Sequence, residues 1–233
     1  MTLFGGIQSV DQHLNCDFKL IGFSNAPRQY YTCEVTSFSN PNNNVNINGY
    51  SGNHMANSND NGVEAILIHD FNARFIPSNL GSLSTLLAFA MQSSQLTVIS
   101  ADHLLGMNRL EVIDFRNNYL STVPSDVFSG LPNLRTVFLN SNQIVTLPSG
   151  LFANNPRLFY INFQNNNIKH IAPTMFDGLP ILNSVIAISN ACLWQEYTGS
   201  SAISQLKHDI ISYCPMSEPI RVLHLYTDSC LFD

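Results

Sequence analysis

The chain contains one sequence pattern three times in direct succession. The blocks LEVIDFRNNYLSTVPSDVFSGLPN, LRTVFLNSNQIVTLPSGLFANNPR and LFYINFQNNNIKHIAPTMFDGLPI begin at Leu110, Leu134 and Leu158. Each follows LxxLxLxxNxLxxLPxxxFxxLxx with conservative replacements. A tandem period of roughly 20–45 residues is typical of solenoids, in which each repeat is one supersecondary unit that contacts only its neighbours. The pattern therefore predicts a repeat solenoid before any other feature is considered.

The spacing within a block indicates how each unit is built. Ile113 and Phe115 are two residues apart, so their side chains share one face of an extended segment, which we expect to face the core. Asn118 ends the strand, because its amide can satisfy backbone groups where the chain turns. Phe128 and Leu131 close the unit on the opposite, convex side. Stacking then buries these side chains, at roughly 1.5–3 kcal/mol for each fully buried Leu, Ile or Phe.

The same columns continue beyond the three clear blocks. Degenerate blocks begin at Val63 and Leu86, and an unfinished block begins at Leu182, so we count five repeats and one terminal strand. A further strand around Val45 and Ile47 is expected on the N-terminal side. The aligned asparagines and phenylalanines are Asn118, Asn142, Asn166, Asn190, Phe128, Phe152 and Phe176. The predicted parts are an N-terminal cap with an Asn-rich entry (1–62), the repeats (63–190), a C-terminal cap helix (191–215) and a tail (216–233).

Four of the five cysteines flank the repeats and predict two disulfide-closed caps. Pairing Cys16 with Cys33, and Cys192 with Cys214, closes two loops of similar size, each contributing about 3 kcal/mol in the loop-entropy model. A metal site is the alternative, but the chain has no CxxC and no paired Cys/His spacing of the zinc type. We therefore expect no metal and no cofactor. The segment between the second pair predicts an amphipathic capping helix, with apolar residues at Ile203, Leu206, Ile210 and Ile211.

The fifth cysteine, Cys230, lies in the tail beyond the repeats. Two interpretations stay open: an intermolecular disulfide that links a dimer, or a buried or capped free thiol. In the same tail, Val222, His224 and Tyr226 alternate with Leu223 and Leu225, which suits a strand that could pair with a partner chain.

Disulfide caps indicate an oxidising, extracellular compartment. The first ten residues, MTLFGGIQSV, contain no long apolar stretch of the kind found in a signal peptide, so we expect the processed form of a secreted protein. No run of about twenty apolar residues is present, so no membrane span is expected.

The blocks resemble the typical leucine-rich repeats of extracellular animal proteins such as Toll-like receptor ectodomains, over about residues 63–214. The N-terminal elements CDFKLIGFSNAPRQYYTCEV and INGYSGNHMANSNDNGVEAILI are similar to those of secreted insect proteins, including mosquito leucine-rich immune proteins. The resemblance implies an α/β-type, right-handed horseshoe with a concave parallel β-sheet, convex loops or 3-10 turns, and a function in protein recognition, with an innate-immunity-like role. Some of these relatives continue into a coiled coil and form disulfide-linked dimers, whereas this chain has no heptads after Cys214.

Residues between the core positions of each strand are expected on the concave face. Phe138 and Tyr160 are predicted to be exposed there on neighbouring strands, where aromatic residues often anchor interfaces. The alternative is a solvated sheet face without a partner. The predicted protein-binding residues are His69, Asp70, Asp114, Arg116, Phe138, Asn140, Tyr160, Asn162 and Gln164.

Composition excludes some functions and suggests another. The net charge of −6 and the lack of a basic cluster argue against nucleic acid. The seven histidines are scattered and no nucleophile motif such as GxSxG occurs, so we expect no enzyme and no catalytic residues. Only 11% of residues are charged and no N-x-S/T sequon occurs. Since charges and glycans keep surfaces apart, a second hypothesis is a self-assembling extracellular structural protein, dimeric or polymeric, that packs through Asn/Ser-rich faces.

Overall fold

A computed structural model describes residues 11–26, 28–37, 46–55 and 58–216. Six short strands repeat at intervals of 23 or 24 residues and pair in parallel, as the sequence predicts. Val112, Thr136, Tyr160 and Ser184 occupy equivalent positions in four consecutive strands. The six strands are β4 (Ala65–His69), β5 (Ala88–Gln92), β6 (Val112–Asp114), β7 (Thr136–Phe138), β9 (Tyr160–Asn162) and β11 (Ser184–Ile186).

The chain returns to the sheet through turns and very short elements. Three 3-10 turns lie at Asp60–Gly62, Leu80–Ser82 and Ala101–Leu104. A separate two-stranded parallel sheet pairs β8 (Thr146–Leu147) with β10 (His170–Ile171). The architecture is a parallel-sheet solenoid of about five turns, and this confirms the predicted fold class.

An N-terminal hairpin extends the sheet at one end. Its arms are β1 (Asp11–Gly22) and β2 (Gln29–Ser37), which pair antiparallel and are joined by the predicted disulfide Cys16–Cys33. β2 then runs parallel to β4. The expected strand near Ile47 is present as β3 (Asn46–Ser51), but it pairs with β1 and so lies outside the hairpin. Val45 is outside the described residues.

The C-terminal cap consists of one strand and one helix. β12 (Glu196–Thr198) pairs antiparallel with β11 and completes a sheet in the order β12-β11-β9-β7-β6-β5-β4-β2-β1-β3. The predicted helix is α1 (Ser200–Tyr213), and the predicted disulfide Cys192–Cys214 holds its end. Leu206 and Ile210 are fully buried, whereas the expectation that Ile211 belongs to the buried face is wrong. One residue turns a helix by about 100°, which directs Ile211 outward and leaves the core side to Asp209.

The regularly spaced asparagines join successive turns of the solenoid by hydrogen bonds. Asn118 accepts hydrogen bonds from the backbone N–H groups of Ser94 and Leu96, both at 3.0 Å, and donates to the carbonyl oxygens of Met91 at 2.7 Å and Phe115 at 3.0 Å. One side chain thus ties its own turn to the preceding one. Equivalent bonds are made by Asn142, Asn166 and Asn190. We call these four residues the asparagine ladder.

Each repeat strand is followed by a small polar residue in the left-handed backbone region. These residues have φ between 49° and 60°, which disfavours bulky and β-branched side chains but which Asn and Asp adopt more readily. The sharp turn directs the chain out of the sheet and into the asparagine ladder. The six residues are Asp70, Ser93, Asn117, Ser141, Asn165 and Ser189.

Cys230 and the alternating segment 222–226 lie outside the described residues. The linkage of Cys230 is therefore untested. Among the described residues, no helix is both long and apolar enough to cross a membrane.

Replacing Asn118 with Ala is expected to lower the free energy of unfolding by about 3 kcal/mol, because buried backbone donors and acceptors lose their partners. The measurement is urea denaturation, with a lower midpoint at an unchanged slope. Asn154→Ala, at an exposed position, is the matched control and should stay within about 0.5 kcal/mol of the parent. Equal effects of the two substitutions would contradict the role of the ladder.

Candidate functional site

Asp114 and Arg116, two of the predicted binding residues, form an ion pair in the middle of the concave sheet. Asp114 is fully buried, and Arg116 Nε donates to its Oδ1 at 2.8 Å while Nη2 donates to Oδ2. Gln92 Nε2 donates to the same Oδ2 at 2.8 Å. Burial alone would lower the pKa of Arg116, but the hydrogen bonds and charge of Asp114 outweigh burial and raise it. Arg116 therefore balances the negative charge of the buried Asp114 carboxylate within the sheet.

Arg116 of this pair contacts the first of the two predicted aromatic residues. The guanidinium carbon of Arg116 lies 4.5 Å from the ring centre of Phe138, whose ring centre is 5.4 Å from that of Tyr160. Asn162 Nδ2 donates to the Tyr160 hydroxyl at 3.4 Å, and Asn162 Oδ1 accepts from the backbone N–H of Gln164 at 3.0 Å. These five predicted residues are therefore contiguous.

His69 and Asp70 form a separate charged group near the N-terminal hairpin. His69 Nδ1 lies 2.9 Å from Asp70 Oδ2, and its Nε2 lies 3.0 Å from Glu34 Oε1; Lys19 also pairs with Glu34. The hydrogen bond to Asp70 raises the pKa of His69, and Glu34 adds to this against the opposing effect of burial. A protonated His69 can donate to both carboxylates at once. This group borders a shallow groove of about 480 Å³ lined by Glu34, Val35, Thr36, His69, Asp70 and Phe71.

Asn140 occupies the same column as Arg116 and Gln164, one repeat from each. Its side chain is buried, and its Oδ1 has no hydrogen-bond partner among the described residues. A buried amide oxygen without a partner carries a desolvation cost.

The N-terminal half of the concave sheet is covered by the protein's own hairpin. The turn between β1 and β2 brings Phe23 and Tyr30 against small side chains of the concave face, where they form a second apolar cluster. Phe138 is part of this cluster and is only 2% exposed, so the prediction that it is exposed is wrong. The other buried members are Ala65, Leu67, Ala88, Ala90 and Val112. The hairpin could not be located from a column pattern, because it packs on residues that lie 35 to 115 positions away in the sequence.

Polar contacts attach this hairpin to the repeats. Arg28 makes a two-pronged pair with Glu64, with N···O distances of 2.6 and 2.7 Å, and its guanidinium lies 4.8 Å from the ring centre of Tyr30. Tyr30 donates to Glu111 at 3.4 Å, and burial together with this carboxylate raises the pKa of Tyr30 to about 12. Tyr160 packs against the apolar cluster that the hairpin forms.

What remains accessible is the C-terminal half of the concave sheet. We define the open concave surface as Arg116, Tyr160, Gln164 and Ile188, of which Ile188 is the most exposed. It combines one cation, one amide, a half-buried tyrosine and an isoleucine. Burial raises the pKa of the Tyr160 hydroxyl, so it stays a neutral donor and acceptor near neutral pH.

Sequence reasoning missed the residues of the hairpin that shape this site: Lys19, Phe23, Arg28, Tyr30 and Glu34. The turn-forming sequence GFSNAP between two apolar-rich segments was the available indication of a hairpin. Within the described parts of the chain, no group of three or more His, Cys, Asp or Glu could hold a metal ion.

Comparison with known proteins agrees with this geometry. The family model "Leucine rich repeat" matches residues 84–144 and 132–190. The repeats of this chain are leucine-rich repeats. No curated protein sequence matches the chain.

Solved leucine-rich repeat structures share the fold over part of their length. A chain in the glycosylated form of the Toll–Spatzle complex, described as a molecular hub in Drosophila development and innate immunity, is 25% identical with a TM-score of 0.50. A chain in the TLR13–ssRNA13 complex is 21% identical with a TM-score of 0.54. The alignments cover 53% and 56% of this chain but only 17% and 19% of those chains.

The His69 group predicts a pH dependence of stability. Since the pKa of His69 is raised on folding, its stabilising effect is complete below the unfolded value of about 6.5 and is lost as pH rises through the folded value. Urea midpoints of the parent should therefore fall through this window. His69→Gln should remove that part of the fall, whereas His208→Gln, on the exposed side of α1, should retain it. Parallel curves for all three proteins would contradict the assignment.

Phe23 tests whether the hairpin buries the concave face. Phe23→Ala should lower the free energy of unfolding by about 3 kcal/mol and increase binding of the dye ANS, because apolar concave side chains become accessible. Phe75→Ala, at an exposed phenylalanine, is the control and should change neither measurement appreciably. If Phe23→Ala behaves like this control, the hairpin does not protect the sheet.

Proposed function

We propose that this chain is a non-enzymatic, secreted leucine-rich repeat module that recognises a protein through its open concave surface. The observation that carries the proposal is the composition of that surface: Tyr160 packs against Phe138 with ring centres 5.4 Å apart, and Arg116 and Gln164 are partly exposed on the same face. A rigid aromatic residue beside amide groups is typical of protein-binding surfaces, since it provides contact area at low entropic cost.

The hairpin strengthens the case for this particular location. It fills the N-terminal half of the sheet with Phe23 and Tyr30, and Tyr160 packs against this cluster. A partner therefore meets a preorganised tyrosine, and little side-chain entropy is lost on binding. Ile188 supplies an exposed apolar contact at the far side of the same surface.

The similarity to a chain of the Toll–Spatzle complex supports an immune-like protein ligand, in keeping with the two disulfide caps. An RNA ligand, as in the TLR13–ssRNA13 complex, does not suit this chain, whose net charge is −6 and whose open concave surface has Arg116 as its single formal charge. The protein ligand is therefore the better proposal.

Self-assembly into an extracellular structure is the second candidate. One observation favours it: β12 ends the sheet with an outer edge that no other described strand covers. Uncovered edges can pair with another copy. Whether this edge pairs with a second copy distinguishes the two candidates.

The recognition proposal predicts position-specific crosslinking. A photoreactive amino acid at position 164, incubated in the extracellular fluid of the source organism, should give a protein adduct, and the same probe at the convex, exposed Thr174 should not. Tyr160→Ala should reduce the adduct at least about ten-fold, as expected for an anchor worth roughly 2 kcal/mol.

Each variant is first checked by urea denaturation, so that unfolding is not mistaken for lost binding. Adducts of equal yield from positions 164 and 174, or a yield that Tyr160→Ala leaves unchanged, would overturn the assignment of this surface.

A further inference from the structure

The outer edge of β12 presents free backbone groups in a defined order. The N–H of Ala187 bonds to Gln195 at 3.1 Å and the N–H of Gly199 bonds to Asn183 at 2.8 Å, so the odd-numbered residues of this segment point their backbone groups toward β11. The even-numbered residues Trp194, Glu196 and Thr198 therefore point theirs outward. β12 is the last strand of the described sheet, and all three residues are exposed.

An exposed apolar patch lies at the same end of the molecule. Trp194 is 59% exposed and its ring centre is 5.1 Å from that of Tyr213; Ile211 on α1 is 65% exposed. Met216 is also exposed. We call Trp194 and Tyr213, which are in contact, the terminal patch. Large side chains grouped on one surface are uncommon on a protein with no contact there.

The chain leaves the described structure beside this patch. The disulfide places the Cα of Cys214 5.1 Å from that of Cys192, two residues before Trp194. The N–H of Ile171 bonds to the Cys214 carbonyl at 3.1 Å, and Pro215 accepts from the His170 ring. The four residues 217–220 span up to about 13 Å when extended, sufficient to bring the next segment to the start of β12.

The next segment matches that edge in length and pattern. Residues 222–226, VLHLY, alternate in the manner of a strand, and the free edge from Trp194 to Thr198 also has five residues. The order of elements is β12, α1 and then this segment. A crossover of about a dozen residues with a helix is the usual connection between parallel neighbouring strands, and α1 supplies 14.

We propose that residues 222–226 of the same chain add to β12 as a parallel strand and cover the terminal patch. With Val222 beside Trp194, His224 lies beside Glu196. Leu223 and Leu225 then face the same side of the sheet as Tyr197, whose hydroxyl donates to Asp209 of α1 at 2.9 Å.

A second copy of the chain fits the edge less well. A two-fold, antiparallel pairing that uses the whole edge places Glu196 opposite Glu196 of the other copy, and like charges directly opposite each other destabilise a sheet. The chain's own segment offers His224 at that position. The observations therefore favour the intramolecular strand.

Trp194 is the chain's only tryptophan and provides a direct test. The full chain and a chain ending at Tyr226 should show blue-shifted emission and slow acrylamide quenching, while a chain ending at Met216 should show red-shifted emission and faster quenching. Amide exchange at Glu196 and Thr198 should be about ten-fold faster in the shorter chain.

Substitutions in the full-length chain control for misfolding of the truncated chain. Leu223→Asp combined with Leu225→Asp should reproduce its fluorescence at full length, whereas Leu105→Asp, which adds a charge at a distant exposed leucine, should not. Circular dichroism checks that each variant is folded. Identical Trp194 quenching in the full chain and the Leu223/Leu225 variant overturns the proposal. Protection that grows with protein concentration, with a dimer mass by light scattering, also overturns it and assigns the edge to a second copy.

Discussion

The asparagine ladder is the interaction on which the rest of the structure depends. Each ladder asparagine replaces the hydrogen bonds that a strand loses where it turns, and it does so across two successive turns of the solenoid. Without it, every repeat would bury unpaired backbone groups at a cost of roughly 1–3 kcal/mol each. The apolar columns then pack at a fixed spacing, as in the parallel stack of Phe128 on Phe152, with ring centres 5.8 Å apart. Hydrogen bonding sets the register, and burial of the columns supplies the stabilisation.

The hairpin between β1 and β2 covers part of the concave face with apolar side chains. Ala65, Ala88 and Ala90 are small enough to let Phe23 and Tyr30 approach the strands closely. The molecule consequently has apolar clusters on both faces of the sheet at its N-terminal end. Only toward the C-terminal end does the sheet keep one side accessible. The accessible surface is therefore defined as much by the cap as by the repeats.

How well the sequence predicts each feature depends on how far apart along the chain the interacting residues lie. The six strands, the asparagine ladder, both cap disulfides and α1 depend on short-range periodicity or on matched loop lengths, and these predictions are confirmed. Phe138 was misjudged because it belongs to the apolar cluster that contains Phe23 and Tyr30 of the hairpin, 115 and 108 positions earlier, and no column pattern encodes that packing. Ile211 was misjudged because the core side of α1 runs through Leu206, Asp209 and Ile210, and Ile211 lies about 100° beyond Ile210. Alternation indicates a strand's faces but does not show whether either face is covered.

The two ends of the sheet are covered to different extents, and this affects where a partner can bind. At the N-terminal end the hairpin supplies both a disulfide and a lid of aromatic side chains, and Arg28 with Glu64 fixes it at the border of the repeats. At the C-terminal end the disulfide closes the core, but the edge of β12 and Trp194 stay uncovered by described residues. A tail strand on that edge would complete the second cap in the same way as the hairpin completes the first. Recognition would then be confined to the sheet between the caps, where Tyr160 and Gln164 are partly exposed.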